Sequence, residues 1–122
     1  MMKYTVDFMS FEEDEKDLII SFAIPDEALG VKSLILHRTL FFEEYLDEEE
    51  KGVNVSLEGE EGENEAPNTL VKIEIQDAEV IIYSKYSQYV LDLSKIDASD
   101  KSHMIRLLKK QNYDERFLIV HE

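Results

Sequence analysis

The sequence predicts an α+β domain, a mostly antiparallel curved β-sheet of about eight strands with one main helix near the C-terminus. Three observations carry this reading. Short runs of alternating apolar and polar residues recur along the chain, and one segment near residues 98–112 changes to helical spacing. At 122 residues the chain also has the length of a single domain, 1–122, able to bury about two-thirds of its unfolded surface. With no cysteine, it has neither disulfide nor thiolate-metal chemistry available.

Taken in order, Lys3 to Phe11 alternates with Tyr4, Val6 and Phe8 on one face, and the polar run 12–17 reads as a turn. Asp17 to Ile24 presents Leu18, Ile20, Phe22 and Ile24 on an inner face, which makes an antiparallel hairpin with the first strand. Pro25 to Gly30 breaks the pattern before the longest strand, Gly30 to Phe42. On one face of that strand Lys32, Leu34, Leu36, Arg38, Leu40 and Phe42 form a row, so Arg38 stands among apolar neighbours. A guanidinium there requires a carboxylate or several carbonyls, with Glu74 and Asp92 as the strand candidates.

Val53, Val55 and Leu57 alternate once more, and the following EGEEGENEAPN has the composition of a mobile loop. Strands are expected at Leu70–Gln76, Glu79–Lys85, Gln88–Ser94 and Arg116–His121. Between the last two, Met104, Leu107 and Leu108 recur at helical spacing and Ile105 widens the stripe. Asp97 or Ser99 can cap the start of this helix and Asn112 its end, while Asp100 and the pair Lys109 and Lys110 suit its dipole.

Charge is the dominant compositional fact, with a net −15 of which −10 lies between residues 43 and 65. Such a field repels phosphate backbones and anionic lipid, so the expectation is no nucleic acid, no membrane and a basic protein partner. The amino terminus lacks a basic region followed by an apolar stretch, and no run is long enough to cross a bilayer, which makes cytoplasmic the expected location. The oligomeric state stays open, because an exposed edge strand can pair with a second copy.

No catalytic motif appears, so an enzyme is not expected. His37, His103 and His121 have no ligand spacing, and the four glycines form no phosphate-cradling loop. Asp47, Glu49, Lys51, Gly52 and Glu58 fall on positions 1, 3, 5, 6 and 12 of a calcium loop, but the lysine stands where an oxygen must coordinate. Neither a metal nor a cofactor is expected.

The segment LILHRTLFFEEYLDEEEKGVNVSLEGE resembles the signature of a bacterial immunity-protein family, immunity protein ten of polymorphic toxin systems. Leu36, Arg38, Thr39, Leu40, Phe42, Glu43, Glu44, Gly52 and Glu58 match its pattern; His37 replaces a glutamine, and the acidic run is longer. The resemblance implies a small cytoplasmic protein that binds and blocks the effector domain of a cognate toxin. The expected partner-binding residues are Glu43, Glu44, Tyr45, Asp47, Glu48, Glu49, Glu50, Glu60 and Glu61, with Arg38 and Gly52 as structural or motif residues. Phe41, Phe42, Tyr45 and Leu46 supply apolar anchors wherever they are exposed, although core packing accounts better for Phe41 and Phe42 than for Tyr45. The alternative function is an acidic adaptor or regulatory domain binding a basic host protein.

Overall fold

In the computed structural model, which describes residues 3–59 and 67–121, nine strands form two sheets beside one helix. The strands are β1 (Lys3–Thr5), β2 (Phe8–Glu13), β3 (Asp17–Asp26), β4 (Gly30–Thr39), β5 (Asn54–Leu57), β6 (Leu70–Ile75), β7 (Glu79–Ser84), β8 (Gln88–Asp92) and β9 (Leu118–His121). The helix α1 spans Ala98–Gln111. One sheet has the order β1-β8-β7-β6-β9 and the other β2-β3-β4-β5. The second is wholly antiparallel, whereas the first takes in two parallel pairs, β1 with β8 and β6 with β9.

A single hydrophobic cluster draws on both sheets and the helix, with Phe22, Leu36, Ile73, Ile82, Leu91, Met104 and Leu107 among its buried members. The α+β class and the single C-terminal helix agree with the sequence reading; the one curved sheet becomes two. The reason lies at Val6 and Asp7. Val6 donates its N–H to Asp92 O of one sheet and Asp7 donates to Ala23 O of the other, so the first predicted strand changes sheets midway. The change also shifts its phase: Val6 and Met9 are buried and Phe8 faces outward, 56% exposed.

Pro25 does not end β3, which continues to Asp26. Beyond Ala23 the strand has lost β2 as a neighbour and pairs with β4 alone, so a residue lacking an N–H is tolerated there as on an edge. The chain then reverses at Gly30, whose φ of +79° is one that a side chain would resist. The predicted mobile loop falls largely on 60–66, outside the described residues.

Helix α1 begins as expected, with Asp97 Oδ1 accepting the Asp100 N–H at 2.8 Å. Met104, Leu107 and Leu108 are fully buried, each contributing about 1.5–3 kcal/mol of apolar burial. At its other end Asn112 closes the helix and is stitched to the residue before the last strand: its Nδ2 donates to Phe117 O at 2.9 Å and its Oδ1 accepts the Phe117 N–H. Gln111, also fully buried, donates from Nε2 to Leu18 O and Leu36 O at 3.0 and 3.1 Å. This fixes the C-terminal end of α1 against β3 and β4. No helix among the described residues is long and apolar enough to cross a membrane.

Candidate partner-binding surface

Strand β4 ends at Thr39 because its ladder runs out: Asp17 is the first residue of β3, and the chain before it turns around the Asp14 side chain. Leu40 and Phe41 still bond Lys16 O, after which the chain leaves the sheet in two 3-10 turns, Glu43–Tyr45 and Glu48–Glu50. Alternation therefore does not reach Phe42. Phe41 and Phe42 are 57% and 56% exposed and pack edge to face at 4.8 Å, which corrects the expectation that both belong to the core.

What holds these turns is Arg38, the last inward residue of β4, fully buried opposite Leu18. Its Nε and Nη2 donate to Glu43 Oε2 and Oε1 at 2.8 and 2.6 Å. Nη1 and Nη2 donate to Asp114 Oδ1 and Oδ2 at 2.7 and 2.9 Å, and Nη1 also reaches Gln111 O at 2.7 Å. The Tyr113 ring lies 4.2 Å from the guanidinium carbon, and its hydroxyl donates to Glu43 Oε1 at 3.0 Å. All five guanidinium donors are thus used, which is what makes so deep a burial affordable. Arg38 is paired as expected, though with Glu43 and Asp114 rather than Glu74 or Asp92, which lie in the other sheet.

Gly52 belongs to the same assembly. Its N–H donates to Glu43 Oε2 at 3.3 Å, its φ is +109°, and a Cβ there would meet Arg116 Cδ at 3.5 Å. Arg116 in turn bonds Asp114 Oδ2 and Glu48 Oε1 at 2.6 and 2.8 Å, so a second arginine ties the far turn to the region after α1. Glu115, in the left-handed region at φ 54°, turns the chain between Asp114 and Arg116.

The ionisation equilibria follow from these contacts. Burial pushes the Arg38 guanidinium down, but its bonds to Asp114 and Glu43 outweigh that and leave its pKa above the ordinary value. Burial likewise pushes Glu43 up, and the bonds from Arg38 and Tyr113 bring it below the usual carboxylate range. Asp114 is held far below that range by the Arg38 hydrogen bonds, with Arg116 adding to the effect against its burial. All three are ionised at neutral pH.

Among the residues expected to bind a partner, Glu43 is the exception: it is a buried counter-ion of Arg38 and unavailable to another protein. Glu44, Tyr45, Asp47, Glu48, Glu49 and Glu50 are exposed, Tyr45 at 76%. Glu48 is shared with Arg116 and Lys51. Glu60 and Glu61 lie outside the described residues. The turns contribute to two hollows, one of about 350 Å³ lined by His37, Thr39, Leu46 and Glu50, the other of about 330 Å³ lined by Leu40, Glu44, Tyr113 and Arg116. Segment 41–50, the ridge, carries the exposed rings and carboxylates.

The calcium-like register 47–58 is divided between the second 3-10 turn and β5, and Glu58 Oε1 accepts the Ser33 N–H instead. Among the described residues no three metal-ligating side chains converge. Sequence reasoning missed Gln111, Tyr113, Asp114 and Arg116; only the polar cluster after the helix hinted at them, and nothing local joins it to Arg38, 76 residues from Asp114. No family model, no curated protein and no solved structure matches this chain.

Proposed function

We propose that this protein is a cytoplasmic immunity protein, which binds the effector domain of a cognate toxin through the Phe41–Glu50 ridge and blocks it. The observation that carries this reading is the exposure of Phe41, Phe42 and Tyr45 beside Glu44, Asp47, Glu49 and Glu50. Adjacent exposed aromatics are unusual on a surface that meets only water and suit the apolar anchors of an interface. The surrounding carboxylates steer a basic partner from a distance. Held at its start by the buried Arg38–Glu43 pair, the first turn of the ridge needs little ordering on binding. The resemblance of residues 34–60 to immunity protein ten supplies the toxin as the partner.

The test is surface binding to the effector domain encoded beside this gene, at two ionic strengths. Asp47, Glu49 and Glu50 changed together to Lys slow association and flatten its salt dependence, while leaving the Glu48 pairs intact. Tyr45→Ala shortens the lifetime of the complex at both salts. Absence of a complex, or an unchanged association rate for the triple variant at low salt, overturns the assignment.

A further inference from the structure

We infer that this protein forms a two-fold symmetric dimer in which β9 pairs antiparallel with β9 of a second copy, joining the two five-stranded sheets into one. The inference is independent of the ridge and of the immunity reading. An edge strand presents a row of unpaired backbone donors and acceptors, and folds ordinarily blunt such an edge with charge or cover it with chain. Three of the four edges here are so treated. β2 carries Glu12 and Glu13, and β1 is three residues long and carries Lys3. The outer side of β5 is taken up by the chain entering β6, through Val55 N–H to Asn68 O, Leu70 N–H to Val53 O and the Asn54–Thr69 bridge. β9 is different. The Asn112 amide occupies both backbone groups of Phe117, but from Leu118 to His121 the strand is bonded to β6 alone among the described residues. Its sequence LIVH holds no acid, lysine, arginine or proline. Beside it, Leu118 is 58% exposed, as is about half of Val71 in the bulge of β6.

The occupant that suits this edge is the strand itself. A two-fold axis perpendicular to the sheet keeps both cores on one side of it and sets opposite each other residues whose numbers have an even sum. Centred on Ile119, it pairs Ile119 with Ile119 of the second copy and Leu118 with Val120 of the second copy, so the side chains that meet are apolar. Ile119, partly buried against the core, is then covered on its open side. The charges agree with the same register. Leu118 stands beside Lys72 and Val120 beside Glu74, and Lys72 and Glu74 are themselves paired at 3.0 Å. A row across the seam therefore runs from Lys72 through Leu118 and Val120 of the second copy to Glu74 of the second copy, opposite in sign at ends about 14 Å apart. Four residues a side bury less than the roughly 1,200 Å² of a stable interface, so the dimer forms only at high protein concentration. At −15 per chain, like charge opposes association and salt relieves it. Self-association thus strengthens with salt, the reverse of binding to a basic partner.

The experiment is sedimentation velocity of the full chain between about 10 μM and about 1 mM, at low and at high salt. The expected result is a shift from monomer toward dimer as concentration rises, larger at high salt. The double variant Leu118→Lys, Val120→Lys sets like charges opposite each other at the seam and should weaken association about tenfold, although it lowers the net charge. The double variant Leu118→Glu, Val120→Lys should associate like the parent, because in this register the row across the seam then alternates in sign. Phe42→Ala, which alters the exposed ring pair instead, should also associate like the parent. A parent that stays monomeric at the highest concentration in high salt overturns the inference without recourse to any variant. Association that survives the change of both residues to Lys, or that Phe42→Ala abolishes, overturns it as well.

Discussion

The clasp around Arg38 and the ridge beside it are built from the same residue types within a few positions of each other, yet they differ in everything that sets energy. In the clasp the arginine side chain is 0% exposed and Glu43 10%, whereas Glu48 on the ridge is 74% exposed. Glu43 and Glu44 are sequence neighbours, and the first 3-10 turn directs one inward and the other out. Removed from water, a carboxylate is bound to its partner by the cost of losing it; in water it contributes a field and little else. Burial, and not residue type, separates a structural charge from one available to a partner.

The sharpest way to break this comparison is at Arg38. Arg38→Ala strands Glu43, Asp114 and the Gln111 carbonyl, and is expected to cost about 3–5 kcal/mol in denaturant unfolding. The double variant Arg38→Met, Glu43→Leu should recover much of that, because it removes the buried charges as a pair. A cost within about 0.5 kcal/mol for Arg38→Ala would place the arginine with the surface charges.

A matched pair of neutralisations tests the neighbours directly. Glu43→Gln gives up a charged partner of Arg38 and should lose about 1.5–3 kcal/mol. Glu44→Gln should leave the unfolding midpoint unchanged, and equal effects at the two positions would erase the distinction.

The smallest effect is in pH. Native Glu43 and Asp114 both titrate below the usual carboxylate range, so the stability they contribute is fully present above the unfolded value of about 4. It is lost as pH falls through their depressed native values. Asp114→Asn is therefore less stable than the parent at pH 7, and the gap narrows at about pH 3. Urea titrations at the two values decide it; a gap that stays constant would show that the charge of Asp114 is irrelevant.

Much of the fold was legible because it is local. Alternation placed Leu18, Ile20, Phe22, Leu34 and Leu36 inside, and the helix disclosed its buried stripe and, in Asp97 or Ser99, its cap, of which the structure uses Asp97. From its apolar row alone Arg38 was legible as a partly buried, paired cation; that its burial is complete was not. Phe41 and Phe42 were misread because the strand was continued past Thr39, where β4 has no further partner and period two no longer applies.

By itself the sequence determined the class, the single helix, the acidic segment and the need for a counter-ion at Arg38, since each depends on spacing and charge within one stretch of chain. Tertiary structure decided what depends on distant segments meeting. It turned one expected sheet into two at Val6 and Asp7, chose Asp114 and Tyr113 from the far end of the chain as partners, and withdrew Glu43 from the surface while leaving Phe42 exposed. The physical reason is that propensity and periodicity report a residue's immediate neighbours, whereas desolvation, which selects among many equivalent carboxylates, is a property of the packed whole.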